Sequence, residues 1–368
     1  MSLPELIWTE GEAEHRALWR SESAPVPRRI ALADDGTRAD AAFRQCAEGT
    51  SLLYRGDYHN ARQLLSAMGR RVKPPKLTGD LLRDFHLHRQ AQGRDAQILG
   101  RLLICIDSQC AIPMRRAPDV QAALAEAWEP VAAEQVTPLR ELLGVIGAHE
   151  WRRRGVEVSA LGARVHPHYG VFAPVRGEYV QLVADAPLKK VRRAFDIGTG
   201  TGVLALVLAR RGIPEVVATD LDARALASAR ENIQRLGEKR IAVLEADLWP
   251  PGLAELIVCN PPWLPGRPTS RLEHAIYDPE SIFLKRFIQE LPAHLAPGGE
   301  GWLVISDLAE RLGLRSPTML AELFSAAGLV VIETLEARPT HARTRDTEDP
   351  LHAARSAEVT RLFRLRAG

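Results

Sequence analysis

Cysteine is scarce in this chain of 368 residues. There are four, Cys46, Cys105, Cys110 and Cys259, with no Cys-x-x-Cys or Cys/His spacing among them. That argues against a disulfide scaffold or a zinc site and leaves reduced, mostly packed thiols. Histidine fares no better as a metal ligand. His166 and His168 flank Pro167, His86 and His88 share a helical stretch, and neither pair has a third and fourth partner. No metal is expected. An excess of one charge is also missing: 48 Lys and Arg stand against 46 Asp and Glu, a net charge of +2. No strong global field therefore draws the chain to nucleic acid or membrane. No apolar run approaches the ~20 residues of a membrane span. The start, MSLPELIWTEGEAEHRALWR, carries acids where a signal peptide has a basic head. The expectation is a cytoplasmic protein without a membrane partner.

What is present suits a globular fold. Apolar residues make up 46% and charged residues 26%, and a chain well beyond ~250 residues implies two domains. Residues 1–155 read as a mainly helical domain with a role in substrate recognition. Helix-like spacing covers 37–48, 59–71, 79–92, 94–107, 119–128 and 137–153, with breaks at Lys73-Pro74-Pro75 and Pro113 to Pro118. Between 156 and 175 short β-branched runs around Gly162 and Gly170 predict a hairpin linker. From 176 to 368 short apolar runs alternate with helical segments: Ala194 to Ile197, Val216 to Thr219, Ile241 to Leu244, Leu256 to Cys259, Gly301 to Ile305 and Val330 to Thr334. This is the pattern of an α/β domain with a doubly wound, largely parallel sheet, and Val359 to Leu365 would close it as an antiparallel strand.

The strongest local signal is Phe195-Asp196-Ile197-Gly198-Thr199-Gly200-Thr201-Gly202-Val203-Leu204. A buried strand runs into three glycines at alternate positions and then a helix, a turn that lets backbone approach a ligand. Asp196 precedes the first glycine by two residues. A carboxylate there repels a diphosphate and suits a ligand carrying an ammonium and a sulfonium. The next strand ends in Asp220, placed to accept both hydroxyls of a ribose. Asp222 reads as the cap of the following helix. Asp247, after the third strand, is a candidate acceptor for an adenine amino group.

The fourth strand ends in Asn260-Pro261-Pro262-Trp263. Two prolines fix φ and remove two amide donors, leaving stiff backbone whose carbonyls can accept. Asn260 adds a side-chain carbonyl, so the two acceptors could hold a planar NH₂ group while Trp263 offers a face for stacking. An amide or aryl amine nitrogen is a poor nucleophile, and orienting its lone pair is the main service a protein can render it.

In this order and spacing, these segments resemble class I S-adenosylmethionine-dependent methyltransferases with an NPPW motif. The resemblance implies a Rossmann-like domain and S-adenosylmethionine as cofactor. It places Asp196, Gly198, Thr199, Gly200, Gly202, Asp220, Leu221, Asp247, Leu248 and Asn260 around that cofactor. Asn260, Pro261, Pro262 and Trp263 become the catalytic corner. The tetrad is similar to the Asn-Pro-Pro-aromatic motif of enzymes that methylate glutamine amides, adenine N6 or guanine N2, with Trp where glutamine-modifying enzymes usually carry Tyr. Pro174, Arg176 and Glu178 echo the Pro-Arg-Pro-Glu-Thr-Glu segment of HemK-type (release factor glutamine) N5-methyltransferases, which puts Arg176 and Glu178 beside the cofactor or substrate. The implied activity is methyl transfer to a planar NH₂ nitrogen. A glutamine-bearing protein leads as acceptor, a nucleobase of RNA or DNA is the alternative, and a non-catalytic cofactor-binding module is a remote third reading. The acid-free stretch 60–79, with Arg62, Arg70, Arg71, Lys73 and Lys76, is either a solvated face or a landing place for RNA phosphate or an acidic partner.

Overall fold

Strands covered on both faces need apolar side chains at successive positions. Phe195 to Ile197, Val216 to Ala218 and Leu256 to Cys259 are buried without a break. They lie in a computed structural model that describes residues 3–339 and 349–368. The chain forms two compact units, Met1–Leu77 with His86–Glu150, and Thr78–Phe85 with Trp151–Gly368.

The first unit corrects the expectation of a mainly helical domain, because its centre is a six-stranded sheet. Its strands are β1 (Glu5–Glu10), β2 (Ala13–Trp19), β3 (Ile30–Ala33), β4 (Ser51–Tyr54), β5 (Leu102–Ile106) and β6 (Gln135–Pro138), in the order β1-β2-β6-β5-β4-β3. Strands β3, β4 and β5 run parallel. The connecting helices are α1 (Ala39–Ala47), α2 (Tyr58–Gly69) and α3 (Leu81–Leu99), followed by α4 (Gln121–Ala127) and α5 (Leu139–Arg154). The strands were hidden because β4 and β5, SLLY and LLICI, are wholly buried. An apolar run of four or five residues looks the same inside a helix as inside a covered strand. The expected helix over 94–107 accordingly divides into the end of α3 and β5. The polar-aromatic segment after β4 is structural. Asp57 caps α2 by accepting from the His59 amide at 2.9 Å, and the Tyr54 hydroxyl donates to Asp35 at 2.7 Å.

The second unit opens with the expected hairpin, β7 (Val156–Val158) against β8 (Ala163–Val165), which belongs to this unit instead of standing apart as a linker. Then come α6 (Gly177–Asp185), β9 (Arg193–Ile197), α7 (Val203–Arg210), β10 (Glu215–Asp220), α8 (Ala223–Arg235), β11 (Ile241–Glu245) and β12 (Ala254–Cys259). Helix α9 (Ile282–His294), β13 (Leu295–Ser306), α10 (Leu308–Arg311), α11 (Met319–Ala326), β14 (Leu329–Ala337), α12 (His352–Ser356) and β15 (Thr360–Ala367) complete it. The sheet order is β11-β10-β9-β12-β13-β15-β14, parallel from β11 to β13, with β15 antiparallel to both neighbours as expected.

Alternation along the strands feeds two core clusters. Ala194, Val216, Ala218, Leu256, Val258 and Trp302 face one, while Phe195, Ile197, Val217, Ile257, Cys259 and Leu303 face the other. Period-two side-chain direction puts one cluster on each face of the sheet. Helix α7 is buried from Val203 through Ala209, so it is apolar all round. The chain moves outward from β9 to β10 and β11, then returns to the other side of β9 with β12. This reversal opens a crevice at the carboxyl ends of β9 and β12. No helix among the described residues is long and apolar enough to cross a membrane. The many charges of His341 to His352 read as a long loop before the last strand, and its residues 341–348 lie outside the described residues.

Candidate active site

The glycine turn begins where β9 ends, and Asp196 fastens it. Its side chain is 1% exposed, and one oxygen accepts both the Thr199 hydroxyl at 2.6 Å and the Ala205 amide at 3.0 Å. The carboxylate therefore staples β9 to the first turn of α7. Burial pushes its pKa up to about 6 against those two hydrogen bonds, and the nearby Asp220 charge adds to the rise. Gly198, Gly200 and Gly202 all have positive φ, at 71°, 56° and 81°. A Cβ on Gly202 would sit 3.3 Å from the backbone and side chain of Ala229, and one on Gly198 would reach to 3.5 Å from the Phe283 ring. The Thr199 amide donates to the Thr219 carbonyl at 2.8 Å, which locks the turn to β10.

Asp220 stands at the tip of β10, as the sequence led us to expect. One oxygen accepts from the Gly200 amide and the other from the Asp222 amide, both at 3.0 Å, and burial raises its pKa. Asp222 caps α8 through the Arg224 amide at 2.8 Å. Leu221 is 63% exposed beside Asp220, an open apolar wall. Leu248 is buried with φ 72°, and its carbonyl accepts from the Thr219 hydroxyl. Asp247 is exposed and engaged by Arg286, whose guanidinium nitrogen lies 3.0 and 3.1 Å from the two carboxylate oxygens. A hydrogen bond from Asp247 to an adenine would compete with that pair.

Asn260 and Pro261 leave the end of β12, the strand paired with β9. The Trp263 indole N–H donates to the Asn260 carboxamide oxygen at 2.8 Å. The Trp263 ring packs against both core clusters, and the Arg176 guanidinium lies over it, 4.6 Å from the ring centre. The aromatic face expected to receive an acceptor thus already carries a cation. Arg176 precedes α6 and donates to Glu178 at 2.6 Å, to Glu358 at 3.0 Å and to the Thr360 hydroxyl at 3.4 Å. Arg315 donates to the Trp263 carbonyl at 2.9 Å.

Sequence reading missed Phe283, Arg315 and Glu358. Glu358 is 1% exposed and holds Arg176 and the Ser306 hydroxyl at one oxygen, while its other oxygen has no hydrogen-bond partner. A lone acid just ahead of the closing strand was the only available hint. His168 lies against Glu231 at 2.7 Å, and the His166 ring meets the Arg152 carbonyl at 2.6 Å. Among the described residues no group of three or more His, Cys, Asp or Glu is arranged to hold a metal ion.

These residues fit a cationic nucleoside. The turn supplies three positive-φ glycines, of which Gly202 would press a Cβ against Ala229, and the carboxylates Asp196 and Asp220 lie at the ends of the two strands. A pyrophosphate would meet repulsion there, whereas a ribose hydroxyl and a positive centre would not. The fold is that of a Rossmann-like domain, whose ligands lie in the crevice at the strand ends.

Comparison with known proteins sharpens this. The sequence profile of the methyltransferase small domain matches residues 163–334. The chain is 32% identical over 226 residues to the release factor glutamine methyltransferase of Deinococcus radiodurans, covering 57% of this chain and 73% of that one. It is 28% identical over 162 residues to a putative protein N5-glutamine methyltransferase of Methanocaldococcus jannaschii, covering 42% and 80%. It is also 30% identical over 198 residues to the tRNA1(Val) (adenine(37)-N6)-methyltransferase of Shewanella loihica, covering 50% and 79%. The chain belongs to the small-domain family of S-adenosylmethionine-dependent methyltransferases. It is an N-methyltransferase whose cofactor is S-adenosylmethionine.

Proposed function

We propose that the protein methylates the side-chain amide of a glutamine in a protein acceptor. The Asn260 oxygen and the Pro261 carbonyl are the two acceptors for the NH₂ hydrogens, and Gly198 to Gly202, Asp220 and Leu221 hold the cofactor. The bound cofactor supplies an activated methyl on a sulfonium, so the chain's own task is to orient and desolvate. The observation that carries the amide over a nucleobase is the state of Trp263. Its ring lies between the core and the Arg176 guanidinium. A nucleobase needs that face for stacking, and an aliphatic amide does not.

The division of labour is testable. Asn260→Ala should lower transfer about 100-fold or more while S-adenosylmethionine binding stays within a few-fold, since one positioned polar group is worth about 2.7–4 kcal/mol in the reaction and little in the ground state. Equal loss of both in a binding titration would refute it. The acceptor class follows from incubating lysate of cells lacking this protein with enzyme and methyl-labelled cofactor. Label that resists nuclease and yields to protease supports glutamine, and the reverse overturns it.

A second reading, a nucleobase amine in RNA, draws support from one feature of the first unit. Arg62, Arg70, Arg71, Lys73 and Lys76 are exposed, and among the described residues none forms an ion pair with a carboxylate. A methyltransferase of tRNA is also among the relatives. Salt separates the readings. Four phosphate contacts to a single strand give a slope of about −2.8, or about fiftyfold weaker binding between 50 and 200 mM salt, and a protein acceptor gives a shallow one.

A further inference from the structure

Trp263 follows two prolines, so stiff backbone aims its side chain, and Arg315 pins its carbonyl at 2.9 Å. From that position the indole N–H reaches the Asn260 oxygen at 2.8 Å. This is the oxygen the preceding reading assigns to the acceptor's NH₂. The contact is held from outside: Arg176 covers the ring at 4.6 Å, and Arg176 is fixed by Glu178 and the buried Glu358. Ser306 and Thr360, paired across β13 and β15, complete the anchor. A guanidinium on an aromatic face, partly out of water, is an attractive contact. Each member of this assembly meets Trp263 directly or through Arg176 and Glu358.

We propose that Trp263 is a tethered stand-in for the acceptor's amino group, latched onto Asn260 by Arg176 and Glu358, and that an acceptor enters by displacing its indole N–H. The proposal rests on the reading that a planar NH₂ group binds at Asn260 and Pro261. Its consequence is selectivity by bond count. A primary amide gives up nothing at Asn260, where one N–H replaces another, and gains a bond to the Pro261 carbonyl with its second N–H. The N-methylated product has a single N–H, so it exchanges bond for bond and gains nothing. The indole then retakes Asn260. One device thus favours entry of the substrate, release of the product and a single methylation. Arg176 and Glu358 are positioning residues in this scheme, since they act through Trp263.

The test uses the full chain labelled with ¹⁵N at its indoles, with the Trp263 signal assigned by its loss in Trp263→Phe. Without any acceptor, the Trp263 indole proton should exchange at least tenfold more slowly than a free indole. Asn260→Ala and Arg176→Gln should each remove that protection, and Arg176→Lys should restore part of it. The Trp302 indole, buried and bonded to Glu300, reports that each variant is folded. Equal protection of Trp263 in wild type, Asn260→Ala and Arg176→Gln, with Trp302 protected throughout, overturns the latch.

Propionamide and N-methylpropionamide are then titrated in the presence of S-adenosylhomocysteine. Propionamide should move the Trp263 signal at a concentration about fivefold lower than N-methylpropionamide, the worth of one net hydrogen bond. Calorimetry, which does not need the indole signal, should show propionamide binding Trp263→Phe more tightly than wild type by a similar factor. If adenine moves the signal and propionamide does not, the stand-in survives and the glutamine reading fails. If the latch is present but neither compound moves it, displacement is refuted.

Discussion

Replacing Asp196 by Asn gives a stability change whose pH dependence is dictated by burial. The carboxyl is 1% exposed and its pKa is raised from 3.8 to about 6. An acid whose folded pKa lies above its unfolded value takes up a proton on folding. Its cost is therefore absent below about pH 3.8, grows as pH rises, and is complete above about 6. Two pKa units correspond to ~3 kcal/mol in full, and to ~2 kcal/mol over the accessible range from pH 4.5 to 7.5.

Asn keeps an oxygen for Thr199 and Ala205 but brings a buried NH₂ group. That adds an offset of ~1–3 kcal/mol that does not vary with pH. The difference in unfolding free energy between Asp196→Asn and wild type should thus move by ~2 kcal/mol in the variant's favour from pH 4.5 to 7.5, whatever its starting value. Hydrogen exchange of the amides in β9 and β10, corrected for intrinsic rates, reads this without assuming that both units unfold together. Parallel pH profiles for the two proteins would refute the reasoning. The variant should also bind S-adenosylmethionine more weakly, because Asp196 fastens the glycine turn through Thr199 and Ala205 and a neutral amide holds those two donors less strongly than a carboxylate.

Three smaller outcomes follow from the turn and its neighbours. Gly202→Ala forces a side chain into φ 81° and against Ala229. It should lower stability by roughly 1–3 kcal/mol and weaken cofactor binding, seen as a reduced ligand-induced thermal shift. Asp222→Ala removes the α8 cap and should cost about 1 kcal/mol with cofactor affinity unchanged, by urea unfolding and calorimetry. Arg286→Ala frees Asp247 from its exposed ion pair. Stability should move by less than ~1 kcal/mol, and cofactor binding should hold or improve.

The second unit was largely legible because its signals are local. Short apolar runs at the sheet strands alternate with helices, and a glycine triplet and a double proline punctuate the carboxyl ends of β9 and β12. Asp220 at a strand tip and Asp222 at a helix cap followed from the same logic. The first unit was not legible. Its short apolar strands LLICI and SLLY sit among Leu- and Ala-rich helices, and only pairing between distant segments reveals them. The same holds at the site. Trp263 was expected to offer an open face, but Arg176 covers it, held there by Glu358 from 182 residues away in the chain. Asp196 was expected to face the ligand as a charge and in fact spends its hydrogen bonds on the turn. Asp247 was expected to be available and is engaged by Arg286 from α9. Pattern fixes which residues gather at an edge, and tertiary contacts decide what each one is free to do.

A crystal of the full chain grown with S-adenosylmethionine gives the most direct check. The expected density is a nucleoside against the three-glycine bend, its sugar oxygens on Asp220 and its methyl directed at the double-proline corner. Density for the nucleoside in any other place, or the same bend occupied by a dinucleotide under competition, would contradict the account.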